Sequence, residues 1–137
     1  MLSIQSDIRD KIIQHALDEK PNEACGLFAA SKGENNVQYF FPMRNVAQSD
    51  LIYQLDPKEM IEVEQKADEL DIQIIGVMHS HTASEAYPSA TDVRDATQFD
   101  PFGLWHYIIV SLEHEEPTIR SFRIINEVIT EEELKLN

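Results

Sequence analysis

The sequence predicts an α/β (α+β) fold in which a mixed β-sheet is flanked by helices. Three observations predict it. A chain of 137 residues with 42% apolar and 26% charged side chains can bury one core. Segments with helical spacing alternate with short runs rich in β-branched and aromatic residues. One run, Ile72 to Met78, is apolar almost throughout, as a strand covered on both faces must be.

Each element has a local reason. Ser6 and Asp7 supply a capping group and an acid ahead of Ile8, Ile12, Ile13, Ala16 and Leu17, so residues 6–19 read as a helix with one apolar stripe. Pro21 and Asn22 break it. Ala24 to Ala30 is a short apolar strand, and a polar turn from Ser31 to Asn36 joins it to a second strand, Val37 to Met43, as a hairpin. Residues 44–50 read as a loop and Leu51 to Leu55 as a strand. Asp56, Pro57 and Glu59 form a helix start, with the cap, the first-turn proline and the box acid in order, and Met60, Val63, Ala67 and Leu70 continue the helix to about residue 70. After the central strand, Ser89 to Phe99 reads as a helix that Asp100-Pro101-Phe102-Gly103 stops. Trp105 to Leu112 and Pro117 to Ile125 are strands, Glu127 to Ile129 adds a short one, and the acidic tail from Glu131 is expected to be a solvated helix turn or a frayed end. No repeat or linker divides the chain, so residues 1–137 read as one domain.

Composition removes several classes of function. Acidic residues outnumber basic ones 25 to 11, a formal charge of −14, which repels a phosphate backbone or an anionic leaflet. Neither nucleic acid nor membrane is expected as a partner, and no apolar run approaches the roughly 20 residues that cross a bilayer. The first residues lack a cationic stretch followed by a long apolar one, and the single cysteine, Cys25, cannot form an internal disulfide. The expectation is a cytoplasmic protein.

The chemistry concentrates at the end of the central strand. His79 and His81, two apart on a strand, project to one face, so their imidazoles can converge on one ion. Asp92 follows after ten residues, on the first turn of a predicted helix. Two nitrogens and one carboxylate oxygen form a catalytic zinc set with a fourth position for water. Glu23, at the entry to an early strand, is a candidate general base, and Ser89 a candidate donor to an oxyanion. Each residue alone has an ordinary reading: a chance histidine pair, a surface carboxylate, or a capping box in which Ser89 and Asp92 only satisfy backbone amides. Capping, however, explains neither histidine. Cys25, two residues after Glu23, is conceivable as a ligand or nucleophile but reads better as a small buried thiol. His15, His106 and His114 read as surface or core-edge histidines and Trp105 as packing.

Together, Glu23, His79-x-His81 and Ser89-x-x-Asp92 resemble the JAMM motif of the MPN metalloprotease family, and the element order agrees over nearly the whole chain. The resemblance implies an MPN/JAMM, cytidine deaminase-like architecture and hydrolysis of isopeptide or peptide bonds at the C-termini of ubiquitin-like proteins. It implies that His79, His81 and Asp92 bind one zinc ion (Zn2+), that Glu23 is the acid/base, and that Ser89 stabilises the oxyanion. Longer stretches, D-E-K-P-N-E-A-C-G-L, F-P-M-R-N and H-S-H-T-A-S-E-A-Y-P-S-A-T-D, resemble a small bacterial branch of that family. That branch releases cysteine from the C-terminal glycine of a ubiquitin-like sulfur-carrier protein during cysteine biosynthesis. Thr82 departs from the pattern, since many members have proline after the second histidine. The partner so implied is a carrier ending in Gly-Gly; alternatives are a broader isopeptidase and a non-catalytic scaffold. The segment Asn45 to Leu55 is the candidate edge or flap for an extended tail, and the loop Thr82 to Pro88, with Glu85 and Tyr87, is expected to border the leaving cysteine.

Overall fold

In a computed structural model that describes residues 1–137, helix α1 (Ser6–Glu19) packs on one face of a six-stranded mixed sheet and α2 (Pro57–Glu69) and α3 (Ala90–Phe99) on the other. The strands are β1 (Leu2–Ile4), β2 (Cys25–Ser31), β3 (Asn36–Val37), β4 (Tyr39–Met43), β5 (Ile72–His81), β6 (His106–Ser111), β7 (Thr118–Ile125), β8 (Val128–Glu132) and β9 (Leu134–Leu136). The main sheet runs β4-β2-β5-β6-β7-β8, and a small one runs β3-β1-β9. The expected mixed sheet flanked by helices is therefore present, with β5 and β6 as its one parallel pair and β5 central.

Strand alternation builds two cores. Met78, Ile108 and Val110 face α1 with Phe28, while Val77, Tyr107 and Ile109 face α3 with Ala96 and Phe122. Burying side chains of this size is worth about 1.5–3 kcal/mol each. The β2–β5 register slips between Phe28 and Ala29, so that Ile75 is skipped between partners Ile74 and Gly76 and points into the α1 core. That bulge lets an almost uninterrupted apolar run serve both faces. At Gly76 a Cβ would stand 2.2 Å from the His106 carbonyl oxygen and 2.4 Å from the Phe28 ring, so only glycine permits this approach of β5 to β6.

Several expectations need correction. The cap of α1 is Gln5, with no side-chain bond, and Ser6 lies inside the helix. In α2, Asp56 does cap, its Oδ1 accepting from the Lys58 amide at 3.1 Å, but Glu59 accepts from the Arg44 amide at 2.9 Å instead of closing a box. Leu51 to Leu55 is not a strand. Its one ladder contact is the Asn45–Leu55 bridge, because the Asn45 side chain takes the backbone groups of Ile52 and Gln54 that a strand partner would use. Val37 to Met43 is broken at Gln38 and serves two sheets as β3 and β4. The tail is strand, not helix turn: Asn126 and Glu127, both at positive φ, make the tight turn from β7 into β8. β9 then lies parallel to β1, a strand not foreseen in the first residues, and Leu2 and Ile4 of β1 and Val37 of β3 are fully buried.

Candidate active site

The site lies where β5 ends. His79 and His81 are both buried and share a sheet face, their Nε2 atoms 3.2 Å apart. Ser80 between them points the other way, its Oγ accepting from the Ala24 amide at 2.8 Å while its own amide donates to the Ala24 carbonyl at 3.1 Å. Those two bonds tie the start of β2 to the end of β5 and set Glu23 beside the histidines. Asp92 arrives from the first turn of α3, where Ser89 is the N-cap. Ser89 Oγ accepts from the Asp92 amide at 3.1 Å and the Ser89 amide donates to Asp92 Oδ2 at 2.9 Å. The same Oδ2 stands 3.0 Å from His79 Nε2 and 3.2 Å from His81 Nε2. The capping box is real, and it aims the carboxylate at the imidazoles.

The charges explain one another. Burial opposes ionisation of Asp92, but His79, His81 and the Ser89 amide outweigh it and hold the carboxyl well below the usual carboxylate range. Burial also opposes a charged His81, yet the Asp92 carboxylate, the Glu85 carbonyl and Glu23 together raise its pKa. Burial pushes Glu23 up to about 8, with His81 pulling it back and Asp92 and Asp50 adding to the rise. Glu23 Oε1 is buried without a hydrogen-bond partner.

This donor set fits a metal ion. His81 Nδ1 lies 2.8 Å from the Glu85 carbonyl, which only accepts, so in the neutral ring the proton is on Nδ1 and Nε2 presents a lone pair. With both Nε2 atoms unprotonated, two imidazole lone pairs and the Asp92 oxygen point at one place, an arrangement that a cation completes and that a proton on either Nε2 also bridges. Ligands about 2.0–2.1 Å from a tetrahedral zinc stand about 3.4 Å apart, close to the 3.0–3.2 Å separations here. Glu23, His79 and His81 also have ligand atoms within 4.8 Å of one another, a second possible trio. Asp92 Oδ2 stands 3.0 and 3.2 Å from the two Nε2 atoms, so both carboxylates lie within reach of the imidazole pair.

All five residues singled out in the sequence thus meet at one place. Around them, the loop after His81 contributes the Glu85 backbone carbonyl to His81, while the Glu85 and Tyr87 side chains are exposed, Tyr87 packing edge-on against Phe122 with ring centres 5.5 Å apart. Cys25 is fully buried, its thiol donating to the Arg44 carbonyl at 3.4 Å, and burial raises its pKa to about 12, which suits an inert thiol. His15 meets the Cys25 carbonyl at 3.0 Å, His106 pairs with Glu132, and His114 is exposed; none joins the site. Three contributors escaped the sequence reading. Ser80 and the Glu85 carbonyl gave no signal, since one sits between conspicuous neighbours and the other is backbone. Tyr53, whose ring stacks on His79 with centres 4.5 Å apart, was legible only as an aromatic in the candidate flap.

Comparison with known proteins identifies the family. Residues 5–125 match the family described as prokaryotic homologs of the JAB domain. The chain belongs to this branch of the JAMM/MPN family. Within it, the chain is 37% identical over 133 residues to the CysO-cysteine peptidase of Mycobacterium tuberculosis, covering 96% of this chain and 88% of that protein. It is 34% identical over 101 residues to the desampylase of Haloferax volcanii, covering 70% of this chain and 73% of that protein. The solution structure of a Desulfitobacterium hafniense protein superposes with a TM-score of 0.89 at 32% identity, over all of this chain and 93% of that one. Fold and kinship make the chain a JAMM-type peptide hydrolase. No helix in this JAMM protein is long and apolar enough to cross a membrane.

Proposed function

We propose that this chain, as one JAMM domain spanning residues 1–137, hydrolyses the amide bond after the C-terminal glycine of a ubiquitin-like sulfur-carrier protein. The product is free cysteine, which makes the reaction a step of cysteine biosynthesis in the cytoplasm. The observation that carries the reading is the convergence of His79, His81 and Asp92 beside the unpartnered Glu23, in a chain whose similarity to a CysO-cysteine peptidase runs almost end to end.

In this reading His79 Nε2, His81 Nε2 and Asp92 Oδ2 hold one zinc ion. When bound, zinc polarises the scissile carbonyl and lowers the pKa of water. A cation beside Glu23 would favour its carboxylate over the neutral acid that burial alone favours, and in that form Glu23 accepts the proton of the attacking water on a carboxylate oxygen and returns it to the departing amine nitrogen. Ser89 Oγ already accepts from the Asp92 amide, so its hydroxyl hydrogen is free to donate to the developing oxyanion. The extended Gly-Gly tail runs along the Asn45–Leu55 segment. A cavity of about 620 Å³ beside that segment, lined by Ile52, Leu55, Met60, Phe99 and Trp105 among others, suits apolar side chains of the tail.

The test offers the purified protein a carrier ending in Gly-Gly-Cys and a carrier conjugated to a protein lysine, both followed by intact mass. Release of cysteine from the first supports the proposal. Cleavage of the conjugate alone replaces it with the second reading, a broader isopeptidase, which the similarity to a desampylase favours.

A further inference from the structure

We infer that Tyr53 is the positioning residue of His79, doing for that ring what a hydrogen bond does for His81. The inference rests on the proposed zinc site. A metal-binding histidine almost always donates its second ring nitrogen to an oxygen, which fixes the ring's plane and rotation. His81 follows this rule through Nδ1 and the Glu85 carbonyl, 2.8 Å apart. His79 does not: its Nδ1 is shut off from solvent and has no hydrogen-bond partner. An imidazole without that bond has a broad torsion about its Cβ–Cγ axis. What meets the ring instead is the face of Tyr53, with centres 4.5 Å apart and planes inclined by 21°. An offset stack of this kind sets the imidazole plane by contact.

Tyr53 is itself held firmly. The Asn45 side chain accepts from the Gln54 amide at 3.0 Å and donates to the Ile52 carbonyl at 2.9 Å, gripping the residues on either side of Tyr53. Its Nδ2 also donates to the Glu23 carbonyl at 3.1 Å. One amide side chain therefore fixes the support of His79 relative to the backbone of Glu23. The ring face, and not the phenolic hydroxyl, is the working part.

The experiment measures zinc affinity of the full chain by competition with a chromophoric chelator, with circular dichroism to confirm folding. Tyr53→Leu weakens zinc by about 10–100-fold, the usual cost of losing an outer support, while Tyr53→Phe stays within roughly threefold of wild type. In the folded wild type the His79 Hε1 proton is shifted upfield by the tyrosine ring, and Tyr53→Leu removes the shift. Asn45→Ala, which keeps the aromatic but frees its segment, also weakens zinc and covers the case in which Tyr53→Leu does not fold. Wild-type affinity in folded Tyr53→Leu or in Asn45→Ala overturns the inference, as does an equal loss in Tyr53→Phe. If wild-type protein binds no zinc, the proposed function falls with it; if only the variants behave like wild type, the inference alone falls.

Discussion

The Ser89 amide and the Asp92 carboxylate meet at 2.9 Å, through the same Oδ2 that faces both imidazoles, so one contact is both a helix cap and part of the site. Structure and chemistry can nevertheless be separated at Ser89. Ser89→Ala loses the cap at a cost of about 1 kcal/mol. Turnover should fall much further, by about 100-fold or more, as for loss of one oxyanion donor. Zinc content should stay near that of wild type, because the amide that orients Asp92 is backbone. Parallel urea melts and steady-state assays check this; an activity loss no larger than the stability loss would leave Ser89 as a cap alone.

Glu23 and His79 should separate in the opposite sense. Glu23→Gln is expected to abolish measurable turnover while keeping about one zinc per chain, since in the proposed mechanism this carboxylate moves a proton and does not hold the ion. His79→Ala should lose both metal and turnover. Elemental analysis alongside the assay decides, and metal-free Glu23→Gln would move Glu23 into the ligand set.

Gly76 bears on the fold beneath the site. Gly76→Ala places a methyl group 2.2 Å from the His106 carbonyl oxygen, a backbone atom that cannot step aside cheaply. The expected cost is about 1–3 kcal/mol, typical of overpacking. Chemical denaturation should show it, and a change under about 0.5 kcal/mol would mean that β5 and β6 can move apart freely.

A pH effect should trace to Glu132. Burial raises its pKa, but hydrogen bonds from His106 at 2.6 Å and Ser121 at 2.9 Å prevail and hold it below the ordinary value. A carboxylate whose folded pKa is depressed contributes stability that is complete above its unfolded pKa. That contribution is lost as pH falls through the folded value. Glu132→Gln should therefore be less stable than wild type by about 1 kcal/mol at pH 7, with the gap closing on acidification below about pH 4. Paired thermal melts at the two pH values read it directly, and a gap independent of pH would assign the effect to packing.

By itself the amino-acid order determined the elements with strong local signals and pointed to the residues that converge at the end of β5. The period of α1, the Asp56-Pro57 start of α2, the apolar run of β5, and the set Glu23, His79, His81, Ser89 and Asp92 were all legible, because each depends on side chains close in sequence or on a recognisable spacing. What only the tertiary structure decided were features that depend on distant partners. β9 looks like an acidic frayed tail until β1, more than 130 positions earlier, pairs with it. Leu51 to Leu55 looks like a strand until the Asn45 amide takes its backbone groups. The orientation of each imidazole likewise rests on a backbone carbonyl for His81 and on an aromatic face from another segment for His79. Backbone groups are the same at every position, and a stacking face is defined only once two segments meet. Local spacing therefore says which residues assemble, and long-range contact says how they are held.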